Sequence, residues 1–178
     1  THGVFIWIVW EVYCGVVCEG EEREEIKLSN MNKVKIFISY STLDSEKKEI
    51  IKNLINNSEK LEAIVVPEQY SSLTYNAEKI KASLDSCKVF LPILTSNSIT
   101  NQWVNQEIGY AFGSNKIKLE DIYPIVEKNI MNDLKGFISS SNDLNFRFEN
   151  NKDFSVTAER LVNQLVEKFK NYMEYFVS

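Results

Sequence analysis

Apolar and polar residues alternate from Val34 to Tyr40. Val34, Ile36, Ile38 and Tyr40 share one face and Lys35, Phe37 and Ser39 the other, which predicts a first strand. Ser41 to Asp44 reads as loop, and Ser45 then precedes a helix carrying Ile50, Ile51, Leu54 and Ile55, stopped by Asn56-Asn57-Ser58. Ala63 to Val66 is a short buried strand closed by Pro67. The polar, aromatic-bearing segment PEQYSSLTYN (67–76) follows as loop, and Ala77, Ile80 and Leu84 mark a second helix. CKVFLPILT (87–95) is a near-continuous apolar run, the pattern of a parallel strand buried on both faces. Pro92 counts against a central strand there, because it brings no ladder donor. After the loop SNSITNQ (96–102), the spacing predicts a helix over Trp103 to Phe112. Asp121 to Glu127 gives a fourth strand and KGFIS (135–139) a short fifth. Val156, Leu161, Val162, Leu165, Val166, Phe169, Met173 and Phe176 are expected to line one side of a long terminal helix.

Strand and helix thus alternate from one end of the pattern to the other, with a closing helix. That order predicts a flavodoxin-like α/β sandwich: a central parallel sheet of about five strands, helices on both faces, right-handed crossovers. In such sheets the ligand sits beyond the carboxyl ends of the strands, where strand order reverses. The end of the first strand (Ser39, Tyr40, Ser41), the loop after the third (Ser96, Asn97, Ser98) and the start of the next helix should meet there. In that helix Trp103 and Glu107 are four residues apart on one face, while Val104, Ile108 and Ala111 form the neighbouring stripe. A glutamate directly beneath a tryptophan is either a boundary residue pointing to water or a carboxylate held at a cleft.

The remaining features narrow the function class. The chain has 178 residues, 44% of them apolar, enough for one good core with appendages. Its net charge of −5 supplies no basic surplus for phosphates, which argues against a nucleic-acid partner. Three cysteines (Cys14, Cys18, Cys87) form no even framework, and Cys14 and Cys18 have no nearby histidine, so neither a disulfide scaffold nor a metal site is expected. Reduced thiols point to a cytoplasmic setting. Residues 1–30 do not match the rest. Val4 to Cys18 is strongly apolar, but too short and too interrupted by Glu11 for a membrane-spanning helix, and no Lys or Arg precedes it as in a secretory signal. Met31 reads like a protein start, so residues 1–30 are taken as an appendage and 31–178 as the domain.

KIFISYS (35–41) resembles the first-strand box of Toll/interleukin-1 receptor (TIR) domains. SCKVFLPILTSNSITNQWVNQEI (86–108) is similar to their third strand, serine-rich loop and helix with Trp-x-x-x-Glu. The two boxes stand in the family's order over roughly residues 33 to 130, and the chain looks closest to stand-alone prokaryotic TIR proteins, including those of Thoeris-type anti-phage systems. The resemblance implies cleavage of NAD⁺ at the nicotinamide–ribose bond, giving ADP-ribose or a cyclised signalling nucleotide read by a downstream effector. NAD⁺ is then the substrate, with no cofactor and no metal, and TIR–TIR contacts imply a homo-oligomer. Carried over by motif, Glu107 is the catalytic carboxylate and Trp103 borders the nucleotide. Ser39, Tyr40 and Ser41 line the floor of the site, and Asp44 and Tyr70 sit in its flanking loops. The family's basic residue just after the first strand is replaced here by STLD (41–44).

One carboxylate suits this chemistry. Ordinary glycosidases need two, one to protonate a leaving oxygen and one to assist attack. Nicotinamide is already cationic in NAD⁺ and leaves neutral, so the remaining task is to stabilise an oxocarbenium-like sugar. Two other functions remain open: a non-catalytic TIR scaffold, and a nucleoside deoxyribosyltransferase-like enzyme, also glutamate-dependent. A phosphoacceptor receiver is disfavoured because the third strand ends in Thr95-Ser96 where an aspartate is required. No GxGxxG or P-loop glycine run occurs, which excludes the usual dehydrogenase and nucleoside-triphosphatase signatures.

Overall fold

The computed structural model describes residues 33–66, 73–140 and 144–170. From Val34 onward they fall in one unit. The appendage expected at residues 1–30, the loop carrying Tyr70, and Met173 and Phe176 lie outside the described residues. Five strands form a sheet in the order β2-β1-β3-β4-β5, every pair parallel. They are β1 (Val34–Ser39), β2 (Leu61–Ile64), β3 (Val89–Leu94), β4 (Ile125–Glu127) and β5 (Phe146–Phe148). The helices are α1 (Ser45–Asn56), α2 (Leu73–Asp85), α3 (Gln102–Gly113) and α4 (Asn151–Lys168). This is the expected flavodoxin-like sandwich, with the strand order reversing between β1 and β3.

Alternation along β1 divides the core. Ile36 and Ile38 join Ile51 and Ile55 of α1 and Phe154, Ala158, Leu161 and Leu165 of α4. Phe37 joins the opposite core, with Leu84 of α2 and Val104, Ile108 and Ala111 of α3. The pattern follows from the period-2 geometry of a strand between two helical layers.

Several expectations are corrected: β2 is Leu61–Ile64 rather than Ala63–Val66, α2 begins at Leu73 inside the expected loop, and β4 begins at Ile125 rather than Asp121. KGFIS is not a strand: Gly136–Ser140 is a short 3-10 turn, with Gly136 at a φ of 74°. The fifth strand is Phe-Arg-Phe at 146–148, two buried phenylalanines flanking an exposed arginine. Val156 is 62% exposed rather than core-facing. On α4 the stripe Phe154, Ala158, Leu161, Leu165 is fully buried, and a residue two positions past Phe154 points to the far side of the helix.

Pro92 does lie in a central strand, and the sheet accommodates it by an interruption. β3 meets the β4 segment at Phe90–Ile122 and again at Ile93–Ile125, in one register that sets Pro92 opposite Pro124. Neither proline has an N–H, so the break falls where neither strand brings a donor. All six residues of β3 are buried.

Candidate active site

Ser39 is the last residue of β1 and shares the parity of Phe37, so its side chain leaves the sheet on the α2–α3 side. It is 1% exposed. α3 begins after the β3 loop, capped by Asn101, whose side-chain oxygen accepts from the Trp103 and Val104 N–H groups at 2.9 and 3.3 Å. This is the usual device for satisfying the first orphan donors of a helix. Burial of Val104, Ile108 and Ala111 then fixes the roll of α3 about its axis. With that roll, Glu107 faces the end of β1, and the Ser39 hydroxyl donates to Glu107 Oε2 at 2.5 Å. Glu107 is therefore not a residue that merely points to water. Trp103, one turn earlier, is partly exposed and belongs to neither apolar core.

The other expected residues divide. Ser41 is buried and its carbonyl accepts from the Asp44 N–H at 2.7 Å. Asp44 sits at the N-cap position of α1 but makes no cap bond with its side chain. Its carboxylate, wholly buried, instead accepts from Thr95 Oγ1 at 2.6 Å, Asn97 Nδ2 at 3.2 Å and Lys47 Nζ at 3.2 Å. Tyr40 takes the opposite parity to Ser39. It packs beside the α1–α4 core with the Lys48 ammonium 5.4 Å from its ring centre. The structure thus brings Ser39 and Glu107 together, places Ser41 and Asp44 in the adjoining loop, and turns Tyr40 to the other face of the sheet.

Sequence reasoning passed over Thr95, Asn101 and Glu127. Glu127, at the end of β4, accepts from Ser96 N–H at 2.9 Å and Ser96 Oγ at 3.0 Å, fastening the β3 loop to the next strand. Asn101 carried a readable signal, an asparagine directly before an apolar helical run. Thr95 and Glu127 carried none, since their partners lie far away in sequence.

A pocket of about 400 Å³ opens beside α3, walled by Leu94, Ile99, Ile108, Leu134 and Ile138. Trp103 and Glu107 do not line it. The Glu107 carboxylate stands instead beside the end of β1, at the switch point of the sheet. Among the described residues, no group of three His, Cys, Asp or Glu side chains could hold a metal ion, and no helix is long and apolar enough to cross a membrane.

Comparison with known proteins bears on the same region. No curated protein matches the sequence at a significant level. Among solved structures, the TIR domains of the activated Roq1 resistosome, which directly recognises the pathogen effector XopQ, are similar at 10% identity and a TM-score of 0.41, covering 74% of this chain and 84% of that one. A conserved protein from Enterococcus faecalis V583 is similar at 12% identity and a TM-score of 0.42, covering 79% of this chain and 99% of that one. At these scores neither likeness bears on function. The family model described as TIR domain matches residues 36–165, from β1 to α4 and including both Ser39 and Glu107. This chain belongs to the TIR domain family.

Proposed function

We propose that this TIR domain cleaves NAD⁺ at the nicotinamide–ribose bond, with Glu107 as the catalytic carboxylate. The observation that carries the reading is the Ser39–Glu107 hydrogen bond at the carboxyl edge of the sheet, on the β1 side of the switch point. A hydroxyl donating to a carboxylate makes a charge-assisted bond, which stabilises the anion and fixes the plane of the group. When the C1′–N bond breaks, its electron pair goes to the pyridine nitrogen and nicotinamide leaves neutral. The positive charge left on the ribose is then met by the anionic Glu107, positioned in advance. On this reading Trp103, one turn before Glu107, stacks on a ring of the nucleotide and excludes water. Ser41 contributes to the floor of the site.

On this reading water or an internal nucleophile captures the ribosyl cation, giving ADP-ribose or a cyclic nucleotide. Such a product would serve as a cytoplasmic signal to a downstream effector, as in anti-phage defence. NAD⁺ is consumed as substrate, and TIR–TIR contacts between copies complete the active assembly. Purified full-length chain, incubated with NAD⁺ over a range of protein concentrations, should release nicotinamide with a rate per molecule that rises with concentration. Mass spectrometry of the second product separates hydrolysis from cyclisation. A folded chain that leaves NAD⁺ intact even at high concentration would favour the non-catalytic scaffold. Exchange of nucleobases between nucleosides would favour the deoxyribosyltransferase-like reading.

A further inference from the structure

Asp44 resembles a substrate contact in sequence, but every acceptor distance around it leads back into the protein. Its side chain is 0% exposed, and its two oxygens accept from Thr95, Asn97 and Lys47. The Thr95 partnership joins the loop after β1 to the loop after β3 across 51 residues of chain. From Thr95 the bonding continues: its N–H donates to Ser98 Oγ at 2.7 Å, and the Ser98 carbonyl accepts from Asn101 N–H at 3.0 Å. Asn101 caps α3 at Trp103 and Val104. In the other direction the Asp44 N–H donates to the Ser41 carbonyl, two residues past Ser39, whose hydroxyl holds Glu107. The circuit closes on itself: Ser39, Ser41, Asp44, Thr95, Ser98, Asn101, Trp103, Glu107.

We infer that Asp44 is a positioning residue that latches the β1 loop to the β3 loop and so sets where Glu107 stands against Ser39. The inference rests on Glu107 being the reacting carboxylate. A buried carboxylate is tolerable only when donors surround it, and three do. Removing it leaves the Thr95 hydroxyl proton without its acceptor and releases the loop that follows Ser39 from the loop that leads into the helix of Glu107. A misplacement of about 1 Å at a reacting group can cost about a hundredfold in rate, so a latch that touches no substrate still acts on turnover.

The Asp44–Asn97 pair supplies a specific test, because its two members can be exchanged. Asp44→Asn sets an amide against the Asn97 amide and the Lys47 ammonium. Asp44→Asn/Asn97→Asp restores one amide and one carboxylate with donor and acceptor reversed, and leaves an oxygen at position 44 for Thr95. In the full chain, Asp44→Asn should lower kcat for NAD⁺ about tenfold or more with KM changed less than about threefold. Amide hydrogen exchange should rise at Trp103 and Val104 relative to β1 and α1. The double exchange should return both readouts to within about threefold of wild type. Should Asp44→Asn fail to fold, Thr95→Val removes the bond that joins the two loops without touching the carboxylate and should give the same pattern.

A rise in KM at unchanged kcat would overturn the latch in favour of a substrate contact. So would failure of the exchange to rescue, or a uniform rise in hydrogen exchange across all elements. If the wild-type chain consumes no NAD⁺, the function proposed above fails. The exchange readout and its rescue still decide the latch.

Discussion

At the scale of single residues, Glu107 is told apart from a boundary glutamate by the Ser39 hydroxyl at 2.5 Å. Glu107→Gln keeps shape, helix propensity and an oxygen for Ser39, so it removes the charge and little else. If the charge stabilises the ribosyl cation, its loss should cost at least ~3 kcal/mol of barrier, about a hundredfold or more in NAD⁺ turnover. The unfolding free energy should move by less than about 1 kcal/mol. A folded variant turning over at the wild-type rate would take Glu107 out of the mechanism. The meeting of Glu107 with the end of β1 was legible in sequence because helix period, strand order and family motif point to one position. The true partners of Asp44 were not, since a carboxylate ahead of a helix reads locally as a cap and Thr95 and Asn97 lie 51 and 53 residues away. Cys87 offers a second residue-scale prediction. Burial pushes its thiol up to about 11. Near pH 8 only about one thiol in a thousand would be ionised, so it should be inert to thiol reagents in the native state. With Cys14 and Cys18 changed to Ser, no thiol should titrate until denaturant is added. Prompt reaction in native buffer would show that the α2–α3 core admits the reagent.

At the scale of elements, long periodic segments were readable and short ones were not. β1, α1 and α3 each repeat an apolar position often enough for the period to declare itself. β5 has only three residues, and its signal was the alternation of Leu144, Phe146 and Phe148 with Asn145, Arg147 and Glu149, which KGFIS lacks. Its neighbours decide: Phe148 sits edge-on to Phe154 of α4 with ring centres 4.9 Å apart, while Phe137 stays 61% exposed and stacks on Phe112. Pro92 misled for a related reason. The rule against proline in a central strand assumes an unbroken ladder, and here the ladder to β4 is interrupted at Pro92. The N-terminus of α3 gives this scale its prediction. Asn101→Ala leaves two N–H groups without their acceptor and should cost about 1 kcal/mol of stability. Because Trp103 rides on that turn and Glu107 on the next, NAD⁺ turnover should fall as well, whereas Asn150→Ala, the equivalent cap of α4, should cost similar stability and no activity. Equal loss of activity in both variants would mean that stability, not placement of α3, is being read.

For the whole molecule, the two edges of the sheet are held by different means. The carboxyl edge carries the hydrogen-bonded loops around Glu107. The amino edge is closed by Asp121, 2% exposed just before β4, which accepts from Lys168 Nζ of α4 at 2.8 Å and faces Lys88 Nζ, ahead of β3, at 3.4 Å. Lys168 also donates to the Glu120 carbonyl and the Tyr123 hydroxyl, both at 2.8 Å. One ammonium near the C-terminal end of α4, where the helix dipole favours a cation, thereby fastens that helix to the sheet. Asp121→Ala leaves two lysines without their carboxylate and a void behind them, and should destabilise the fold by about 3 kcal/mol or more. Lys168→Met should cost less, since Lys88 still faces Asp121 and the methionine replaces the apolar stem. Charge gives the sharper readout. Burial works against the charged form of Lys168, but the hydrogen bonds to Asp121 and Tyr123 outweigh it and hold its pKa above the ordinary value of 10.5. A group raised on folding contributes its full stabilisation below the unfolded pKa and loses it as pH climbs through the folded one. The difference in unfolding free energy between wild type and Lys168→Met should therefore be constant from neutral pH to about pH 10 and shrink above it. A difference that grew with alkalinity, or that began to fall near neutrality, would mean that Lys168 is not charged in the clamp as described. Since the clamp lies at the edge remote from Ser39 and Glu107, both variants should keep the wild-type kcat per folded molecule.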